Sequence, residues 1–129
     1  MHALARWRHR IQLMLCCQIP RRLWNVGRFP HPIGIVIGDG AQLGTDVWIY
    51  QNVTIGRGER GDPRYPALED GVCVYAGAVI VGPITIGSGA VVGANAIVSV
   101  DVPPGATVVG HNRILQRDAA PAAHPRTAA

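Results

Sequence analysis

From Ile37 onward every sixth residue is aliphatic: Ile37, Leu43, Ile49 and Ile55, then, after an interruption, Leu68, Val74, Ile80, Ile86, Val92 and Val98. Two positions ahead of most of them stands a second apolar or small residue: Ile35, Ala41, Val47 and Val53, then Val72, Ala78, Ile84, Ala90 and Ala96. An amphipathic helix would repeat every 3.6 residues or so, and one flat strand would simply alternate. A beat of six requires short strands that turn a corner and begin again, which is the pattern of a parallel β-helix. Residues two apart share a strand face, so the aliphatic residue and its small companion both point inward. Glycine follows at Gly38, Gly44, Gly56, Gly87 and Gly93, where a corner tolerates no Cβ clash. Three hexads close one triangular coil, and stacked coils lie ~4.8 Å apart. No coil buries its inner face alone, so stacking builds the core and both ends need caps. The expected class is all-β, a hexapeptide-repeat triangular prism with a short N-terminal helix. A Val- and Gly-rich β-sandwich is the alternative, and it has no reason to hold one beat over so many units.

The length of 129 residues suits one domain, and the low aromatic content of 5% suits a narrow prism. All twelve basic residues are arginine, and Arg6, Arg8, Arg10, Arg21, Arg22 and Arg28 precede the first acid, Asp39. A basic front end can contact nucleic acid, a membrane surface or an acidic partner. The plainer reading, adopted here, is a solvated helix face that caps the coils, with no nucleic acid as partner. Leu4, Trp7, Ile11, Met14 and Leu15 fit one face of a short helix, with arginines opposite. Such a helix could also make a peripheral contact with anionic lipid. The apolar run from Ile11 to Cys17 is too short to span a bilayer, and without a small-residue cleavage site no signal peptide is expected. Cys16, Cys17 and Cys73 form an odd set without metal-type spacing, which suits a reduced, cytoplasmic setting and no bound metal.

Along the chain, residues 1–30 read as a basic helix and cap. Residues 31–115 form the repeat domain, and 116–129 an Ala/Pro-rich tail expected to be disordered. The segment 57–67 is rich in charge and proline and cannot be a hexad, so it leaves the prism as a loop. Asp101-Val102-Pro103-Pro104-Gly105 is expected to end the coils, since proline cannot donate to a ladder. One exit strand is then expected between Ala106 and Leu115.

A regular repeat only builds a wall. Chemistry is sought in the loop and in residues that break the beat. Six positions before Ile37 stands His31, an imidazole where the frame asks for an aliphatic side chain, stiffened between Pro30 and Pro32. Histidine is the side chain best matched to proton transfer near neutral pH.

The run His31-Pro32-Ile33-Gly34-Ile35-Val36-Ile37-Gly38 resembles the active-site stretch of the serine acetyltransferases, a branch of the hexapeptide-repeat acyltransferases. The resemblance continues through Val47 to Gly56. It resumes at Gly61-Asp62, Arg64 and Pro66, then at Ala76-Gly77-Ala78, Ile86-Gly87 and Gly93-Ala94-Asn95, and ends at Asp101-Val102-Pro103-Pro104. It implies a homotrimer of left-handed prisms. Acetyl-CoA would lie in the groove between two neighbours, and the activity would be O-acetyl transfer to a small acceptor, as in cysteine biosynthesis. His31 matches the general base. Arg64 matches a loop arginine that holds the acceptor's carboxylate, with Tyr65 beside it. Backbone N–H groups near Gly56 and Gly58 are candidates for the oxyanion. Ala76 and Ala94 match positions lining the CoA channel, and Arg113 is a candidate for CoA phosphate. The chain has Pro30 where that family has aspartate and Tyr65 where it has a second histidine. It also lacks the upstream acid that orients the base there. A sugar or polysaccharide O-acetyltransferase and an inactive trimeric scaffold therefore stay open. A zinc hydratase on the same prism would need three converging histidines, and only His31 lies in the coils.

Overall fold

The aliphatic beat becomes the inner lining of the computed structural model, which describes residues 16–116. The first face carries β1 (Val36–Ile37), β4 (Thr54–Gly56), β7 (Val79–Val81) and β10 (Ile97–Val98). The second carries β2 (Gln42–Leu43), β5 (Ala67–Leu68) and β8 (Thr85–Ile86). The third carries β3 (Trp48–Ile49), β6 (Cys73–Val74), β9 (Val91–Val92), β11 (Thr107–Val109) and β12 (Arg113–Leu115). Strands stack in parallel from coil to coil, as in the row Val36, Thr54, Val79, Ile97. The prism is a left-handed parallel β-helix. Its three edges are numbered here in the order the chain meets them: edge 1 follows the first face, edge 2 the second, edge 3 the third.

Ile49, Ile55, Ile80, Ile86 and Val92 are wholly buried, and so are their small companions Val47, Val53, Ala78 and Ala90. Among the described residues no polar or charged residue is buried. Each aliphatic side chain enclosed this way contributes about 1.5–3 kcal/mol. Gln18 bridges Val36 and Arg28 bridges Trp48, so a worn coil lies beneath the first regular one. Cys17, Ile19 and Leu23 join the core from it. Among the described residues, the second face has no strand below β2. Trp24 and Phe29 pack there as a tilted pair, 5.8 Å between ring centroids, and pack against the core beside Leu43. The Arg22 guanidinium donates to the carbonyls of Asp39 and Ala41, the second at 2.6 Å, satisfying acceptors that a lower strand would otherwise take. The expected N-terminal helix, with Leu4 to Leu15 on one face, falls outside the described residues, as does nearly all of the tail 116–129.

Three boundaries differ from expectation. Trp48 pairs with Cys73, a step of 25 residues, whereas Cys73 pairs with Val91, a step of 18, so the loop adds seven residues. Pro66 is buried in the inward slot two before Leu68, with its carbonyl accepting from the Gln42 N–H at 3.1 Å, and Ala67 already opens β5, because the corner slot before a strand asks for apolar volume and not for a donor. The loop proper is therefore shorter than 57–67. The pair Pro103-Pro104 does not end the coils. Val102 bridges Ile86 and Thr107 pairs with Val91, since both prolines sit at edge 2, outside the ladders. The exit strand is in fact two. β11 turns back at Gly110 and Asn112, both with positive φ, and β12 closes the top antiparallel to it.

Candidate active site

Edge 3 is built from Tyr50–Val53, Tyr75–Ala78 and Gly93–Ala96 on successive coils, with His31 at its foot. The His31 backbone is held by its flanking prolines, by the Ile33 N–H donating to its carbonyl at 2.8 Å, and by the Cys17 thiol donating to the Pro32 carbonyl at 3.0 Å. The side chain is exposed. Its ring lies 6.1 Å from that of Tyr50, tilted by 47°, and Tyr50 stacks on Tyr75 at 5.3 Å and 20°. Three rings thus climb one edge at consecutive rungs. Burial raises the Tyr50 phenol above its ordinary value, with the neighbouring Cys73 adding to the effect. Burial likewise pushes the Cys73 thiol up to about 11, against a hydrogen bond with Tyr75 that works the other way.

Among the described residues His31 makes no ion pair. The two acids that follow it most closely in sequence stand elsewhere. Asp46 is at edge 2 and binds Arg28 at 3.1 Å, and Asp39 is at edge 1. Beside the tyrosines, Gln51, Ala76 and Ala94 form a second column on the same edge. The Gln51 side-chain oxygen is buried there without a hydrogen-bond partner among the described residues. Arg113 opposes Val109 at the top of the same edge.

Edge 1 carries the loop. Arg64 closes on Asp62 with both ends of its fork, Nε to Oδ1 at 3.0 Å and Nη2 to Oδ2 at 2.8 Å, and its backbone N–H also donates to Oδ1 at 2.9 Å. These bonds hold the Asp62 carboxyl down to about 2 and raise the guanidinium further. The Tyr65 ring lies across two glycines of the coil below. A Cβ on Gly38 or on Gly40 would come within 2.2 Å of it. The Arg57 guanidinium stands 5.6 Å from the ring centroid on the same side chain. Gly56 accepts from the Gly82 N–H at 3.1 Å, and Gly58 lies so close to Gly82 that a Cβ would approach its Cα to 3.1 Å. An open groove of about 420 Å³ runs beside the loop, lined among others by Gln42, Arg64, Tyr65, Ala67 and Thr85.

The candidate residues therefore fall into two sets. His31, Ala76, Ala94 and Arg113 share edge 3, while Gly56, Gly58, Arg64 and Tyr65 share edge 1. One chain does not bring them together. Sequence reasoning assigned no role to Tyr50 or Tyr75, whose signal is their shared place one residue after the beat, on adjacent coils. Among the described residues no three His, Cys, Asp or Glu side chains converge as a metal set, and no helix is long and apolar enough to cross a membrane.

No family model matches the chain. It is 49% identical over 81 residues to a serine acetyltransferase of Mycobacterium tuberculosis, covering 62% of this chain and 35% of that one. It is 43% identical over 94 residues to the serine acetyltransferase of Staphylococcus xylosus, covering 72% and 42%. Among solved structures, the Neisseria gonorrhoeae serine acetyltransferase in complex with serine matches with TM-score 0.61 and 45% identity over 65% of this chain and 34% of that one. Soybean serine acetyltransferase complexed with serine matches with TM-score 0.65 and 41% identity over 78% and 40%. The chain spans less than half the length of these relatives.

Proposed function

We propose that this chain, whose prism belongs to the serine acetyltransferase-like branch of the hexapeptide-repeat acyltransferases, is an acetyl-CoA-dependent O-acetyltransferase with His31 as general base. The observation that carries the reading is an exposed imidazole on a rigid backbone at the foot of an edge lined by the small side chains of Ala76 and Ala94. From His31 to Arg113 that edge climbs about five strand spacings, ~24 Å, room for an extended pantetheine arm with its phosphates near the Arg113 guanidinium. His31 takes the proton from an acceptor hydroxyl as the oxygen attacks the thioester carbonyl. The C–S bond then breaks, the acetyl group stays on the acceptor, and the proton returns to the leaving thiolate. Backbone N–H groups at Gly56 and Gly58 stabilise the oxyanion.

The division of these groups between two edges supports a homotrimer in which edge 3 of one copy faces edge 1 of the next. The groove between copies then holds base, oxyanion donors and loop together. A reduced cytoplasmic location fits its free cysteines.

Serine is the acceptor favoured by the resemblance. A second reading, a sugar hydroxyl, is favoured by one observation: Arg64 already spends its fork on Asp62, so a carboxylate-bearing acceptor must displace that carboxylate.

The test is thiol release from acetyl-CoA with serine, homoserine and sugar acceptors. Release that depends on an acceptor and falls by about 100-fold or more in His31→Ala is expected. No release with any acceptor would leave a scaffold, and release with a hexose but not serine would select the second reading.

A further inference from the structure

We propose that Tyr50, backed by Tyr75, is the positioning residue for the His31 imidazole, a reading that rests on His31 being the base of the acyl transfer proposed above. A histidine that moves a proton must present one ring nitrogen at a fixed place, and a hydrogen bond from the other nitrogen usually sets it. His31 makes no ion pair among the described residues, and the ring of Tyr50 is its recorded side-chain neighbour. Backbone freedom at His31 is already low, between two prolines and with the carbonyls of His31 and Pro32 both bonded. What is left is rotation about the side-chain bonds, and the Tyr50 ring narrows that arc. A separation of 6.1 Å with a 47° tilt lies within the range of attractive aromatic pairs.

Tyr50 can serve as a stop only if it does not move itself. Its backbone N–H donates to the Val74 carbonyl at 3.0 Å, and that of Tyr75 donates to Val92 at 2.9 Å, so both rings stand on ladder rungs. Ile49 pairs with Val74, which places the two tyrosines side by side on adjacent coils. Their near-parallel stack closes the face of Tyr50 away from His31. Above Tyr75 the next rung is Gly93, whose missing side chain ends the ladder.

A ring contact fixes direction without transferring charge. The device therefore needs the aromatic ring of Tyr50 and not its hydroxyl, and this distinguishes it from a carboxylate partner.

The experiment uses the full chain with Tyr50→Phe, Tyr50→Leu and Tyr75→Leu. The first readout is the His31 ring-proton resonance, which senses the ring current of its neighbour with or without turnover. It is expected to stay in place in Tyr50→Phe, move toward the free-histidine position in Tyr50→Leu, and broaden or move part way in Tyr75→Leu. The second readout is acetyl transfer. Tyr50→Leu is expected to lower kcat by about 10- to 100-fold with KM for acetyl-CoA within about twofold, and Tyr50→Phe to restore kcat. An unmoved His31 resonance in Tyr50→Leu, or a Tyr50→Phe variant as slow as Tyr50→Leu, overturns the proposal. Should the wild-type chain transfer no acetyl group while the resonances behave as expected, the acyl-transfer reading falls and the ring device stands. Should Tyr50→Leu fail to fold, Tyr75→Leu decides by the same resonance, an unmoved line being the overturning result.

Discussion

The side-chain oxygen of Asn95 occupies the space above Gly77, so that a Cβ built on Gly77 would lie 2.1 Å from it. Two coils lower, Asn52 covers Gly34 at 2.2 Å in the same way. Edge 3 thus alternates glycine and asparagine, all four at positive φ: Gly34 at 62°, Asn52 at 58°, Gly77 at 74° and Asn95 at 56°. Asparagine is one of the few side chains that tolerate this conformation, and glycine gives it room below.

Gly77→Ala is accordingly expected to destabilise the fold by about 2–4 kcal/mol, combining left-handed strain with the collision. Adding Asn95→Gly should recover the collision part and leave the strain. Denaturant midpoints of the two single variants and the double variant measure the coupling. Strict additivity would show that the two side chains do not share the space.

Tyr65 locks the loop to the coil beneath it through the bare faces of Gly38 and Gly40. Neither glycine has positive φ, so Gly38→Ala acts by volume alone. The ring must lift, and the exposed arginines Arg57, Arg60 and Arg64 should become faster sites for trypsin, with little loss of global stability, within about 1 kcal/mol. Unchanged cleavage would show that the ring is not the anchor.

The clasp between Asp62 and Arg64 has a defined pH window. The Asp62 carboxyl titrates at about 2 in the folded chain, below the ordinary value of 3.8. A lowered acid contributes its stabilisation above the unfolded value and loses it as pH falls through the folded one. The clasp should therefore hold down to roughly pH 3 and open with a midpoint near pH 2, read from the Asp62 carboxyl carbon resonance, while its contribution to stability starts to fall below about pH 4. In Asp62→Asn the guanidinium is freed. If Arg64 serves a carboxylate acceptor, KM for serine should fall in Asp62→Asn and rise in Arg64→Ala, with KM for acetyl-CoA unchanged in both.

Cys16 is exposed and Cys73 buried, with its thiol held protonated to about 11 by desolvation. A thiolate-selective reagent near pH 8 should label Cys16 first and reach Cys73 only on unfolding. The raised Cys73 value also means that its contribution to stability is intact below the ordinary thiol range and declines as pH climbs toward 11. Labelling of Cys73 at the same rate as Cys16 in the native protein would contradict the burial of the third face.

How much was legible follows from distance along the chain. The inward beat is local: Ile49 and Val47 sit two residues apart, and their alternation alone dictates a strand and a side. The same count singles out His31, although the structure leaves its side chain exposed and not in an inward slot. Pro66 shows the limit. Its ring reads as a loop residue, yet it fills an inward slot because a buried position asks only for apolar volume and no donor.

The sequence by itself determined the coil and its period, because inward-pointing side chains two residues apart need no distant partner to be identified. Only the tertiary structure decided which coils meet. With seven extra residues in the loop, Tyr50 meets Tyr75 at a separation of 25 instead of 18. Only the stacking register then decided that His31 gains an aromatic neighbour and that the Tyr65 ring lies over Gly38 and Gly40. Those pairings follow from where hydrogen-bonded rungs place residues remote in sequence, and no local pattern records that.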